Sequence, residues 1–203
     1  LLQGGASLQF FMTALNLTGP EDKADFLMTG AWATKAFKEA ARVCDAASVW
    51  DGAEHGHTRV PAPGEFQVRT GARYLHYTSN NTIYGTQFRA LPESGGRPLV
   101  GDLSSDIASG PVDVSRHAVI YAGAQKNLGP SGVCAVILSP WAVEQSRRVS
   151  GLRPGGIPSM LGDLKWASRS SRAASMPSPV RMPSGRSPST SSSPPIEVSV
   201  ALG

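Results

Sequence analysis

Cysteine is scarce in this sequence of 203 residues, and long apolar runs are missing. The two cysteines, Cys44 and Cys134, show none of the spacings that are typical of a metal site. We interpret both as buried free thiols in a reducing compartment rather than as a disulfide framework. No apolar run approaches the roughly 18 to 20 residues that a helix needs to span a bilayer, and no secretory signal is visible. The sequence gives no indication of a membrane partner.

Acidic residues are almost missing from the C-terminal end. From Leu164 onward the sequence has five basic residues and one acid, so the whole net charge of +4 lies there. Ser, Arg and Pro dominate this segment, and such a composition does not bury enough apolar surface to offset the entropy of ordering. We predict one large domain over residues 1–163 and a disordered low-complexity tail over residues 164–203. The balanced charge of the domain does not indicate a nucleic-acid partner.

Strand-like apolar segments alternate with helix-like segments over the first 150 residues. The predicted strands cover residues 24–28, 47–50, 73–78, 98–102, 119–124 and 133–138. The predicted helices cover residues 8–17, 29–41 and 140–149. This alternation is typical of an α/β protein with a mainly parallel sheet flanked by helices.

A single lysine, Lys126, follows the apolar segment 119–124. The turn-forming residues 129–132 and a second apolar strand come after it. A connection of this kind can hold one amine at the mouth of a pocket, where lysine reacts covalently with a carbonyl group. The alternative is a surface lysine in a hairpin turn.

Four further features also fall at predicted strand ends or helix starts. They are the glycine turn before Ser7, Trp32 in the first turn of a helix, Thr82 in a polar loop and Asp102 at the end of a strand. Pyridoxal phosphate requires a phosphate cradle, an aromatic side chain against its ring, a donor near its phenolic oxygen, a carboxylate on its pyridine nitrogen and a lysine on its aldehyde. The sequence supplies all five at the edge where α/β proteins bind ligands.

The histidines are interpreted separately from these features. His55 and His57 lie in a loop-like segment without a third ligand at suitable spacing, so we predict a solvated loop rather than a metal site. His76 lies within an apolar strand, and we predict a packed core histidine.

Five segments of the chain carry a resemblance to a known family. They are residues 2–10, 29–32, 80–85, 102–106 and 121–130. Together they resemble the phosphoserine aminotransferase family, which belongs to the class-V branch of the fold-type-I pyridoxal phosphate enzymes. The resemblance covers roughly residues 1–162 and implies the large, cofactor-binding domain of that fold, without the N-terminal segment and the C-terminal domain.

The resemblance also implies a role for each residue of the site. Lys126 would bond to the cofactor's aldehyde and then carry a proton between the substrate's α-carbon and the cofactor. Asp102 would pair with the pyridine nitrogen, and Trp32 would stack on the ring. Thr82 would form a hydrogen bond near the phenolic oxygen. The residues that would help to hold the phosphate are Ala6, Ser7 and Gln125.

The implied reaction transfers an amino group from L-glutamate to 3-phosphohydroxypyruvate, giving O-phospho-L-serine and 2-oxoglutarate. The family is homodimeric, and its compartment would be the cytoplasm, a plastid or the mitochondrial matrix. Residues 165–203 do not match the family's C-terminal domain, and an upstream substrate-binding segment is absent. We therefore expect a fragment that is a poor or inactive catalyst.

Three alternatives differ in what the chain would do. One is an inactive fragment that still binds pyridoxal phosphate. Another is a non-enzymatic protein whose basic Ser/Arg tail binds nucleic acid. A cysteine desulfurase-like lyase is disfavoured because it needs a reactive cysteine on a mobile loop.

Overall fold

The computed structural model describes residues 1–150, so the predicted tail over residues 164–203 lies outside the described residues. Within this range the strands of the main sheet are β1 (Leu2–Gln3), β2 (Lys23–Met28), β3 (Asp45–Asp51), β4 (Ala72–Thr78), β7 (Leu99–Asp102), β8 (His117–Gly123) and β9 (Val133–Leu138). A small hairpin is formed by β5 (Asn80–Asn81) and β6 (Thr86–Gln87), in a region predicted as a polar loop. The helices are α1 (Ala6–Leu17), α2 (Ala31–Ala40) and α3 (Pro140–Ser150).

The seven described strands of the main sheet lie in the order β1-β9-β8-β7-β4-β2-β3. Strands β8, β7, β4, β2 and β3 run parallel to one another. Strand β9 returns antiparallel to β8, and β1 pairs antiparallel with β9. The predicted α/β class with a mainly parallel sheet is therefore confirmed.

One face of the sheet packs against the three helices. Phe26, Tyr74 and Tyr121 point to this face and share a core with α1, of which nine of twelve residues are buried. Successive residues of a strand point to opposite faces, so Leu27 and Leu75 enter a second core on the other side. Burial on both faces explains why these strands read as continuous apolar runs.

Among the described residues, the second core is covered by the segments that connect the strands, and not by α-helices. Phe66, Val68 and Phe88 pack against it from the connections after β3 and β6. The connection after β3 contains Pro61 and Pro63, which remove backbone donors and resist a regular helix. The expected alternation of strands and helices is thus replaced here by long loops.

The two cysteines differ in exposure. Cys134 is buried in β9, and burial raises the pKa of its thiol to about 11. Cys44 lies in the turn after α2 and is half-buried, so the prediction that it is buried was wrong. The turn places one side of this residue outside the core.

His76 and His55 occupy contrasting environments. His76 is buried in β4, its Nε2 atom lies 2.8 Å from the Tyr121 hydroxyl, and its ring stacks on Phe26. This is the packed core histidine that the sequence predicted. His55 stacks on Trp50, and within residues 1–150 no group of three His, Cys, Asp or Glu side chains could hold a metal ion. In the same range, no helix combines the length and apolarity required to cross a membrane.

Candidate active site

The carboxyl ends of β4, β7 and β8 meet the N-terminal ends of α1 and α2 at one edge of the sheet, and a cavity lies there. Six side chains predicted from the sequence line this cavity: Ala6, Ser7, Trp32, Asp102, Gln125 and Lys126. Ligands of open α/β sheets bind at this kind of edge because the strand order leaves a crevice outside the carboxyl ends. The fold thus brings six of the seven predicted site residues around a single cavity.

Lys126 lies in the connection between β8 and β9, at the solvent-exposed side of the cavity. Its Nζ atom donates a hydrogen bond to the Thr82 Oγ1 atom at 2.7 Å. Thr82, the seventh predicted residue, does not line the cavity and belongs to the turn between β5 and β6. The lysine is therefore part of a hairpin connection, and its amine is oriented by a neighbouring loop.

Asp102 ends β7 and is 4% exposed. Its Oδ1 atom accepts hydrogen bonds from the backbone N–H of Ser104 at 3.0 Å and from the Ser104 hydroxyl at 2.6 Å. Burial raises the pKa of the Asp102 carboxyl above its usual value, whereas the bonds from Ser104 and the positive charge of Lys126 oppose that rise. Ser104 therefore stabilises the ionised form of this acid.

Ser104 also connects the acid to the strand that carries the lysine. Its Oγ atom accepts a hydrogen bond from the backbone N–H of Gly123 at 3.0 Å, at the end of β8. One hydroxyl thus links the carboxyl end of β7 to the carboxyl end of β8. This link fixes the separation between the Asp102 carboxylate and the segment that leads to Lys126.

The N-terminus of α1 forms another wall of the cavity. Gly5 precedes the helix, no side chain caps the first turn, and Ala6 and Ser7 line the cavity. Free N–H groups at a helix N-terminus and the helix dipole favour an anion. Gln125 lines the same cavity and folds back against Gly123, where a Cβ atom would collide with its amide. A glycine at position 123 therefore leaves room for this side chain.

Trp32 occupies the first turn of α2 and is half-buried beside the cavity. The Lys35 Nζ atom lies 4.3 Å from the centre of its ring. This is a cation–π contact, which restricts the orientation of the indole.

The hairpin that carries Thr82 is anchored on two sides. The Asn81 Nδ2 atom donates to the Thr29 Oγ1 atom at 2.9 Å, just before α2. The Ser105 hydroxyl donates to the backbone carbonyl of Asn80 at 2.7 Å, from the segment after β7. The hairpin is therefore held between the start of α2, which carries Trp32, and the segment that follows Asp102.

Gly30 allows the hairpin to approach α2 this closely. A Cβ atom at this position would lie 2.7 Å from the Asn81 Oδ1 atom and 3.0 Å from the ring of Tyr84. A larger residue would therefore require the side chains of Asn81 and Tyr84 to shift.

Comparison with known proteins decides the family. Residues 1–157 match the model of the class-V aminotransferase family. The chain belongs to this family. Its sequence is 46% identical to a phosphoserine aminotransferase of Lysinibacillus sphaericus (strain C3-41), over 79% of this chain and 42% of that protein.

Solved structures agree with this assignment to the class-V aminotransferases. The phosphoserine aminotransferase from Bacillus circulans subsp. alkalophilus superposes with a TM-score of 0.68 at 42% identity, covering 80% of this chain and 43% of that one. A phosphoserine aminotransferase from Trichomonas vaginalis, solved with pyridoxal phosphate bound, superposes with a TM-score of 0.60 at 31% identity and covers 74% and 45%. The predicted fold-type-I architecture is confirmed. The chain spans less than half of the length of these relatives.

Several cavity residues of this class-V chain were not predicted from the sequence. They are Phe10, Thr78, Asn80, Ser104 and Ser105, whereas Gly5 belongs to the predicted glycine turn. A signal existed for Ser104, because a serine two residues after an aspartate at a strand end often bonds back to the carboxylate. No comparable signal marks the side chain of Thr78, whose position depends on the register of β4 against β7.

We expect the Ser104→Ala substitution to raise the pKa of the Asp102 carboxyl, because the alanine donates no side-chain hydrogen bond to the ionised form. The shift can be followed by the carboxyl carbon resonance of Asp102 during a pH titration of the unliganded chain. Ser105→Ala is the matched control, since its hydroxyl bonds to a backbone carbonyl instead. An unchanged titration of Asp102 in Ser104→Ala would contradict the stabilising role of Ser104.

Proposed function

We propose that this chain is the cofactor-binding domain of a pyridoxal phosphate-dependent aminotransferase, with residues 1–163 forming that domain. The proposed reaction moves an amino group from L-glutamate to 3-phosphohydroxypyruvate and yields O-phospho-L-serine and 2-oxoglutarate. The observation that carries the proposal is the convergence of the Lys126 amine, the Asp102 carboxylate and the Trp32 indole on one cavity. The substrate pair is supported by the phosphoserine aminotransferases named above.

The residues present fit the proposed cofactor. An uncapped helix N-terminus, a buried acid, an exposed amine and a half-buried indole surround the cavity. These groups match a phosphate, a pyridine nitrogen, an aldehyde and an aromatic ring. When bound, pyridoxal phosphate supplies an aldehyde that captures amines and a ring that stores the electron pair released at the α-carbon.

Lys126 has two tasks in this proposal. Its Nζ atom would attach to the aldehyde that the cofactor supplies, and it would also be placed to move the proton at the α-carbon of the substrate. The hydrogen bond to Thr82 supports both tasks, because it holds the Lys126 amine in one orientation against the β5–β6 hairpin.

Asp102 would hold a proton on the pyridine nitrogen of the proposed cofactor. Burial raises the pKa of its carboxyl, but a cationic pyridine nitrogen beside it would favour the ionised form. The bonds from Ser104 act in the same direction and keep the carboxylate aimed at one place.

The phosphate would lie at the start of α1, where Ala6 and Ser7 offer backbone N–H groups and Gln125 offers an amide. Trp32 would cover one face of the ring and exclude water from it. The remaining parts of the proposal follow the family: a homodimer, small-molecule substrates, and the cytoplasm or the matrix of a plastid or mitochondrion.

The test uses the full chain with added pyridoxal phosphate. We expect a new absorbance band in the near-visible range and formation of 2-oxoglutarate from glutamate that depends on 3-phosphohydroxypyruvate. We expect slow turnover, since the family model matches residues 1–157 and the chain spans less than half of the length of its relatives. A chain that binds no pyridoxal phosphate would refute the proposal, and binding without any amino transfer would restrict it to a cofactor-binding fragment.

A further inference from the structure

Thr78 carries a buried hydroxyl that the rest of the described chain does not satisfy. This residue ends β4 and is 3% exposed. Within residues 1–150, its Oγ1 atom has no hydrogen-bond partner. Native proteins seldom leave a buried hydroxyl unpaired, because its desolvation is not compensated.

The position of Thr78 indicates what would satisfy it. Its side chain lines the same cavity as Trp32, Asp102 and Lys126. It is the register partner of Asp102 across the parallel pair β4–β7, so both side chains leave the sheet at the same level. The unpaired hydroxyl therefore borders the space in which a ligand would lie.

Two other buried or half-buried hydroxyls of the cavity are already engaged with the protein. The Ser104 hydroxyl donates to the Asp102 carboxylate, and the Ser105 hydroxyl donates to the backbone carbonyl of Asn80. Thr78 differs from both because no acceptor within the described range is in reach. A branched side chain at a strand end also has few rotamers, so its hydroxyl is held in place before a ligand arrives.

We propose that Thr78 is a ligand-binding residue whose hydroxyl forms a hydrogen bond with the bound cofactor, at the edge of the ring beside Asp102. This inference rests on the proposed function, since it takes a phosphorylated pyridine aldehyde as the ligand. It adds a contact to the proposed set, on β4, which lies between β7 and β2 in the sheet. Strand β7 carries Asp102, and β2 leads to the helix that carries Trp32. Occupation of the cavity then removes an unpaired buried hydroxyl, which favours the loaded form.

The experiment compares the full chain with Thr78→Val, which keeps the shape of the side chain and removes the hydroxyl. Thr78→Ala is a second variant without the hydroxyl, and Thr78→Ser retains it. Two quantities are measured: the unfolding midpoint of the unliganded chain in urea, and the dissociation constant of pyridoxal phosphate from tryptophan fluorescence. We expect Thr78→Val to be at least as stable as the parent without ligand, yet to bind pyridoxal phosphate about five- to tenfold more weakly. Thr78→Ser should bind within about twofold of the parent.

A ligand contact predicts that Thr78→Val keeps or gains stability without ligand but binds pyridoxal phosphate more weakly. A purely structural role predicts lower stability of the unliganded variant. Lower stability of unliganded Thr78→Val would mean that the hydroxyl has a partner in the chain, and this would overturn the inference. Equal affinity of Thr78→Val and the parent would also overturn it, while the proposed function would stand because the parent binds. Failure of the parent to bind pyridoxal phosphate would overturn both.

Discussion

Replacing Lys126 with alanine should abolish covalent attachment of pyridoxal phosphate to the chain. Among residues 1–150, Lys126 is the lysine that lines the cavity, and its amine donates a hydrogen bond to Thr82. Reduction with borohydride should fix the cofactor on the peptide that contains Lys126 in the parent chain and on no peptide of Lys126→Ala. Peptide mass spectrometry measures this directly. Any amino transfer by the parent should fall by at least ~10²–10⁴-fold, the usual contribution of a positioned proton carrier.

Lys35→Ala is the matched control for this substitution. Lys35 is also a solvent-exposed lysine close to the site, but its amine lies over the ring of Trp32 rather than in the cavity. We expect Lys35→Ala to retain the attachment at Lys126. Trapping of the cofactor on Lys35 in the parent, or undiminished trapping in Lys126→Ala, would remove the basis of the proposed function.

The framework of the site could be predicted because it depends on short-range patterns. Strands β2, β4 and β8 lie in the middle of a sheet with both faces covered, so they appear in the sequence as apolar runs. Asp102 and Lys126 come directly at or after the ends of two predicted strands. Because parallel strands end at the same edge, residues far apart in sequence could be expected to meet there.

The residues that hold the site in place, such as Asn81 and Ser104, could not be predicted from these patterns, because their contacts depend on the tertiary structure. Asn81 reaches Thr29 only because the hairpin folds over the start of α2. Ser104 reaches the backbone of Gly123 only because β7 and β8 are neighbours in the observed register. Neither contact leaves a periodic signal in the sequence. Cys44 was misjudged for a related reason, since the turn after α2 decides its exposure.

Acid should destabilise this fold strongly, and His76 should account for a large part of the loss. The ring is fully buried against Phe26, and burial lowers its pKa from 6.5 to about 3. In the unfolded chain the same side chain takes up a proton near pH 6.5. Stability from the neutral ring is therefore complete above pH 6.5 and is lost progressively as the pH falls toward 3. At pH 4 the loss from this residue is about 3 kcal/mol.

His76→Gln tests this account, because glutamine does not titrate and can still bond to the Tyr121 hydroxyl. The free energy of unfolding is measured in urea at pH 7 and pH 4 for the parent and the variant. We expect the variant to be less stable at pH 7, because the stacking on Phe26 is lost, yet to lose about 3 kcal/mol less between the two pH values. His55→Gln, at an exposed position, is the matched histidine control. If His76→Gln loses as much stability as the parent over this interval, other groups must cause the acid sensitivity, with His117 the next candidate because burial also lowers its pKa.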